Sequence, residues 1–268
     1  MSLRPEIITS AQNPRIKELI KLLDRRTRKQ TGLTRIDGAR ELLRALDGAV
    51  LPRVLYLCEE LVRSEEGREA LRRCREAEVP LQALSAQLSE HIAFGDRREG
   101  LCALVAWQPL ALRELTLPEL PLVLVVQGIE KPGNLGALLR TADAAGVDAV
   151  LLCDGVTDAT NPNTIRASMG TLFTLPVAES SSAEAERFLR EHGLQVYTAR
   201  PESSRPYWQG GFAEPSAIVV GSEHSGLQDS WSGAGLTALS IPMRGKADSL
   251  NVNVSAAILL FEAVRQRG

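Results

Sequence analysis

Apolar positions in the second half of the chain fall into short unbroken runs separated by helical stretches. Residues 122–126 are continuously apolar, as a strand covered on both faces requires. A helix is expected over about 134–145, then a second strand at 149–152. Further strands are expected at 195–199, 217–220 and 238–241, and a last helix over about 252–265. Strand and helix in alternation predict an α/β fold with a mainly parallel sheet. Before the proline-bearing stretch at 108–121, helical runs at about 14–23, 39–46 and 65–77 alternate with strand-like segments at 54–57 and 101–105. They predict a second, smaller α/β domain. Between the two, residues 108–121 hold Pro109, Pro118 and Pro121 without sustained periodicity and read as a linker. The expected division is a domain over 1–106, a linker over 107–121 and a domain over 122–268.

The length of 268 residues fits one large or two modest domains at ~150 residues each. Apolar residues make up 44% and charged residues 24%, which excludes a disordered, collagen-like or coiled-coil chain. No run approaches the ~18 apolar residues of a membrane span. The first six residues lack an apolar signal core, so a cytoplasmic location away from membranes is expected. Cys58, Cys74, Cys102 and Cys153 are far apart and form no CxxC or Cys/His cluster. They read as buried thiols in a reducing compartment, with no structural zinc.

A net charge of −2 gives no reason to expect a polyanionic partner. Locally the balance differs: residues 15–40 carry nine basic side chains against three acidic ones, a net +6. Such a run is either a solvated helix face or a phosphate-contacting patch. Charge alone does not choose between them.

In open α/β sheets, ligands bind beyond the carboxyl ends of the strands, which directs attention to three loops. The first spans 127–136 and enters the helix that carries Arg140; its glycines would let a ligand approach the backbone closely. An ordinary tight turn with a surface arginine explains it equally. The second, 221–227, holds small residues around a single acid, Glu223. The third, 241–251, leads into the final helix, where Ser249 and Asn251 have a bland explanation as caps. In that helix Val254, Ile258, Phe261 and Val264 share a face that could pack on the sheet or on a second copy of the chain. A dinucleotide site would find a candidate acid in Asp154, eighteen residues after Gly136, but the glycines are not spaced GxGxxG. A Walker lysine motif is also absent.

Taken together, three segments resemble the three motifs of the SpoU-type RNA ribose methyltransferases of the SPOUT superfamily. They are Asn134-Leu135-Gly136-Ala137-Leu138-Leu139-Arg140-Thr141-Ala142, Gly221-Ser222-Glu223-His224-Ser225-Gly226-Leu227, and Ile241-Pro242-Met243 with Ser249-Leu250-Asn251-Val252. Each is weak alone; all three in order over some 130 residues are specific. Ile165-Arg166-Ala167-Ser168-Met169-Gly170 also looks like the family pattern. Residues 9–16 and 36–40 resemble, more loosely, a ribosomal-protein-like substrate-binding domain found in many members.

The resemblance implies a homodimer whose C-terminal parallel-sheet domain is tied in a deep trefoil knot and binds S-adenosylmethionine. Topology rules treat true knots as essentially absent, so patterning could not have suggested one. By motif position, Gly221, Ile241 and Leu250 match cofactor-contacting residues, and Arg140, Asn134, Glu223, Ser249 and Asn251 match catalytic ones. The implied reaction is methylation of a ribose 2′-hydroxyl in structured RNA, with ribosomal RNA placed ahead of transfer RNA by analogy. No metal is implied. Guanidinium stays protonated in proteins, so Arg140 is expected to act as an electrostatic clamp rather than a base. Under this reading Arg25, Arg26, Arg28 and Lys29 would contact RNA phosphates. Two other classes remain open from residues alone: a non-catalytic RNA-binding scaffold and a nicotinamide oxidoreductase.

Overall fold

The computed structural model describes residues 7–95, 98–155, 157–222 and 226–268. The described residues fold into two compact units, one from 7–108 with 158–174 and the other from 109–157 with 175–268.

The first unit begins with α1 (Pro14–Lys21) and α2 (Arg25–Thr31), each opened by a side-chain cap. Asn13 accepts the Arg15 amide at 3.0 Å and Asp24 accepts the Thr27 amide at 2.9 Å, satisfying amides that a helix start leaves unbonded. Then come β1 (Leu33–Asp37), α3 (Ala39–Asp47), β2 (Pro52–Leu57), α4 (Glu65–Glu76), β3 (Leu81–Ala83), α5 (Ala86–Ile92) and β4 (Leu101–Ala106). The strands form a four-stranded mixed sheet in the order β1-β4-β2-β3. Ile16, Leu19, Leu22, Leu84, Leu88 and Ile92 pack together as part of one apolar core of this unit.

The second unit opens with β5 (Leu110–Ala111), β6 (Leu122–Gln127), α6 (Pro132–Ala144) and β7 (Ala149–Cys153). Residues 158–174, including α7 (Pro162–Ala167), then join the first unit, where α7 lies on β1 and Thr34 Oγ1 donates to Thr160 O at 2.8 Å. The chain returns to the second unit with β8 (Val177–Ser180), α8 (Ser182–Glu191), β9 (Gln195–Ala199), β10 (Ser216–Val220), β11 (Leu236–Leu239) and α9 (Val252–Arg267). Its seven strands run β11-β9-β10-β6-β7-β8-β5, and every pairing is parallel. Every residue of β6, β7 and β10 is buried, which is why these strands read as unbroken apolar runs.

Two expectations need revision. Residues 107–121 are not a bare linker: β5 pairs with β8, and Leu115 is buried in the second unit's core. Arg267 also donates to the carbonyls of Leu120 and Pro121, at 3.0 and 2.9 Å. The strand expected at 238–241 ends at Leu239, because Ser240 leaves the sheet to pair with Pro206.

Among the described residues no helix is long and apolar enough to cross a membrane, and all four cysteines are free and buried.

Candidate functional site

Because the seven strands are parallel, their carboxyl ends share one edge, and a cavity opens there. Ala199 ends β9, Val220 ends β10 and Leu239 ends β11, and all three line it. The second loop contributes Gly221, Ser222, Gly226 and Leu227; the third contributes Ile241, Met243, Asp248, Ser249 and Leu250. Two loops separated in sequence therefore converge on one pocket of apolar side chains and accessible backbone. The close fold of the second loop depends on Gly221. A Cβ there would sit 2.6 Å from the Leu227 nitrogen and closer still to the Gly226 carbonyl.

A buried amide braces this loop from below. Gln127, the last residue of β6, is 1% exposed. Its Oε1 accepts the Gln228 amide at 3.0 Å, directly after Leu227 of the cavity wall. Its Nε2 donates to Ser182 Oγ at 2.9 Å and Asp154 Oδ2 at 3.2 Å. Partial burial pushes the Asp154 carboxyl up, but hydrogen bonds from Ser182 and Gln127 outweigh it and hold the group below its ordinary range. Asp154 is thus engaged with the scaffold, and its spacing from Gly136 needs no dinucleotide to explain it. Gly128 brings the first loop beside the second, since a Cβ built on it would lie 3.9 Å from Ser222 Cβ.

The cavity takes in Gly221, Ile241, Leu250 and Ser249 of the expected site residues. Asn251 caps α9, its Oδ1 accepting the Asn253 amide at 3.0 Å. Among the described residues, Ser249 instead makes only a long bond to Asp248 Oδ1, at 3.4 Å. Asn134 lies in the first turn of α6 and is half-buried. Arg140 is exposed on α6, and none of the described residues bonds its guanidinium. It does not line the cavity. Glu223 and His224 lie outside the described residues.

Ala199, Arg200 and Pro201 of the cavity wall are not among the residues the sequence singles out. Arg200 donates to Trp231 O at 3.1 Å and Ser232 Oγ at 2.7 Å, fastening the segment after the second loop. A usable signal existed, because these residues end and directly follow an expected strand on the ligand-bearing edge.

In the first unit, Arg25, Arg26 and Lys29 are exposed on α2. Arg28 is not available to a phosphate: it is 1% exposed, and its guanidinium is consumed by Leu22 O, Leu23 O and the Asp158 carboxylate. Its expected role in RNA contact is withdrawn on that ground.

Comparison with known proteins gives matches over nearly the whole chain. The family model described as "SpoU rRNA Methylase family" matches residues 121–261, and that for the "MRM3-like substrate binding domain" matches 13–103. The chain is 31% identical over 255 residues to the 23S rRNA (guanosine(2553)-2′-O)-methyltransferase RlmP of Bacillus subtilis, covering 95% of this chain and 97% of that one. A crystal structure of an RNA 2′-O ribose methyltransferase superposes with a TM-score of 0.84 at 40% identity, covering 98% and 99% of the two chains. An AdoMet-bound rRNA methyltransferase from Sinorhizobium meliloti superposes with a TM-score of 0.87 at 26% identity, covering 97% of each.

Proposed function

Given that this chain belongs to the SpoU rRNA methylase family, we propose that it methylates a ribose 2′-hydroxyl of ribosomal RNA, using S-adenosylmethionine held in the cavity at the ends of β9, β10 and β11. The observation that carries this reading is the convergence of Gly221, Ser222, Gly226 and Leu227 with Ile241, Met243, Asp248, Ser249 and Leu250 on that single cavity. Its wall fits the cofactor's chemistry. Leu227, Ile241 and Leu250 supply an apolar surface for an adenine, and Gly221 and Gly226 bring backbone to the cavity wall beside it.

The cofactor supplies a sulfonium-activated methyl group, which ends on the ribose 2′-oxygen. The chain's task is to hold the hydroxyl in line and to stabilise charge as its proton leaves. Arg140 carries a permanent positive charge; it fixes the neighbouring phosphate and stabilises the developing oxyanion. A phosphate oxygen or water accepts the proton. Asn134 and Glu223 position the arginine and its loop, while Ser249 and Asn251 shape the target pocket.

The unit of residues 7–108 and 158–174 serves as the RNA-binding domain, with Arg25, Arg26 and Lys29 on phosphates. Leu259, Leu260 and Ala263 of α9 are buried, yet Val254 and Phe261 remain 47% and 48% exposed on another face. This exposed apolar face supports a homodimer through α9. The expected trefoil knot belongs to the same reading of the second unit. Ribosomal RNA as substrate, with four thiols buried and free, supports action in the cytoplasm.

Incubating the protein with bacterial ribosomal RNA and methyl-labelled S-adenosylmethionine tests the proposal. Label is expected at one ribose, protecting the adjacent phosphodiester from alkali. Label on a base, or none with all rRNAs tried, overturns it.

A further inference from the structure

Beside the cofactor cavity lies a second groove, lined by Ser204, Trp208, Pro242, Met243 and Asp248 among others. Pro201, Ile241, Met243 and Asp248 line both spaces, so the two adjoin each other. We infer that this groove holds the base of the nucleotide being methylated, stacked on Trp208, and that Asp248 reads that base as guanine. The inference rests on the methyltransferase reading above.

A base is separated from its own 2′-hydroxyl only by the sugar. The base of the target must therefore lie next to the space where the methyl group is delivered, and this groove adjoins it. Its most prominent side chain is Trp208, a large aromatic left 52% exposed. Among the described residues the indole has one aromatic neighbour. It packs edge-on against Tyr207 with ring centroids 5.1 Å apart. The turn beneath is tied down where Tyr207 N donates to Ser240 O at 2.8 Å and Arg205 donates to Gln209 O at 2.6 Å. A preformed, exposed aromatic surface is what an unstacked RNA base seeks. Met243 and Pro242 extend the apolar floor.

Asp248 supplies the reading. It is exposed, and among the described residues its carboxylate accepts only the long hydrogen bond from Ser249, so it retains acceptor capacity. An ionised carboxylate only accepts hydrogen bonds and offers two oxygens side by side. Guanine presents two adjacent donors, N1–H and the N2 amino group, on its Watson–Crick edge. Adenine and cytosine each present an acceptor nitrogen there, which repels a carboxylate. Uracil has a single donor between two carbonyls. Of the four bases, guanine alone matches Asp248 with two bonds.

The test uses the full chain and a transcript of the rRNA segment that contains the mapped target, with versions carrying inosine or adenosine at that position. Trp208→Ala is expected to lower kcat/KM for the RNA about tenfold, in line with the loss of one base stack, and Trp208→Phe to restore most of it. Calorimetric affinity for S-adenosylmethionine and the dimer mass by light scattering stay as in wild type. Without cofactor, the guanosine transcript quenches wild-type tryptophan fluorescence more than the adenosine version does, and Trp208→Phe loses that difference. Asp248→Asn lowers activity on guanosine and narrows its margin over adenosine; inosine, lacking the N2 amino group, lies between them. An unchanged kcat/KM in Trp208→Ala, or a change in its cofactor affinity or dimer mass, overturns the stacking role. A mapped target other than guanosine, or an unaltered preference in Asp248→Asn, overturns the base reading. In either case a wild-type protein that still binds cofactor and methylates ribose leaves the functional proposal standing. A wild type that does neither takes both down.

Discussion

The Arg28 guanidinium donates to the Asp158 carboxylate through two nitrogens, at 3.0 and 2.7 Å, with side-chain exposures of 1% and 15%. The pair joins α2 to a segment 130 residues further along the chain within one compact unit. Removing one partner of a buried pair strands the other's charge at a cost of about 3–5 kcal/mol. Arg28→Ala is therefore expected to lower the unfolding free energy read from urea titration by that order, with a lower midpoint. The double change Arg28→Met with Asp158→Leu should recover much of the loss. A midpoint unmoved in Arg28→Ala would contradict the burial.

Arg25, Arg26 and Lys29 stand on the exposed side of the same helix. Joint replacement by glutamine should weaken RNA binding and lower the salt slope of the affinity by about 2 to 3, at ~0.7–0.9 per phosphate contact. Cofactor affinity should hold. RNA affinity unchanged at moderate salt would remove α2 from the interface.

Gly221 lines the cavity at the ends of β9, β10 and β11, where the second loop folds closely on itself. Gly221→Ala forces the added Cβ against Gly226 and Leu227, so the second loop must open. Calorimetry should show affinity for S-adenosylmethionine reduced at least tenfold, roughly the effect of 1.4 kcal/mol, with the far-ultraviolet spectrum preserved. Unaltered affinity would place the cofactor elsewhere.

Burial disfavours the charged thiolate and pushes the Cys74 thiol up to about 11 and Cys153 up to about 12. Cys58 and Cys102 are raised for the same reason. The reactive form is therefore scarce at neutral pH and grows as pH rises towards those values. A thiol reagent at pH 8 should modify none of the four within minutes in the native protein and all four after denaturation. Rapid native modification of any one would contradict its placement.

Elements are legible where burial follows a repeat. β6, β7 and β10 are covered on both faces and spell themselves out as apolar runs. β1 is hidden because its buried positions include Thr34 and Arg35, polar groups that no hydrophobic period reveals. Arg35 is accommodated by Asp37 and by the Ile92 carbonyl at 2.6 Å, partners fixed only by the tertiary fold. α2, Arg25–Thr31, carries no large apolar residue and is visible only as charge. Within that charge, nothing local separates Arg28 from Arg26; Asp158 makes the distinction. The glycine-bearing loops can be found because glycine at a strand end is itself a signal. The brace from Gln127 to Gln228 spans 101 residues and leaves none.

Arg140 offers the most direct test, because it is exposed and lies outside the cavity wall. Arg140→Ala should bind S-adenosylmethionine with wild-type affinity by calorimetry yet transfer methyl groups to ribose at least a hundredfold more slowly, the scale of losing one charge-stabilising donor. Arg140→Lys should stay slow as pH rises, since a clamp loses its charge where a base would gain function. Full transfer by Arg140→Ala, or a lysine variant that recovers the wild-type rate as pH passes the amine's pKa, would contradict the account.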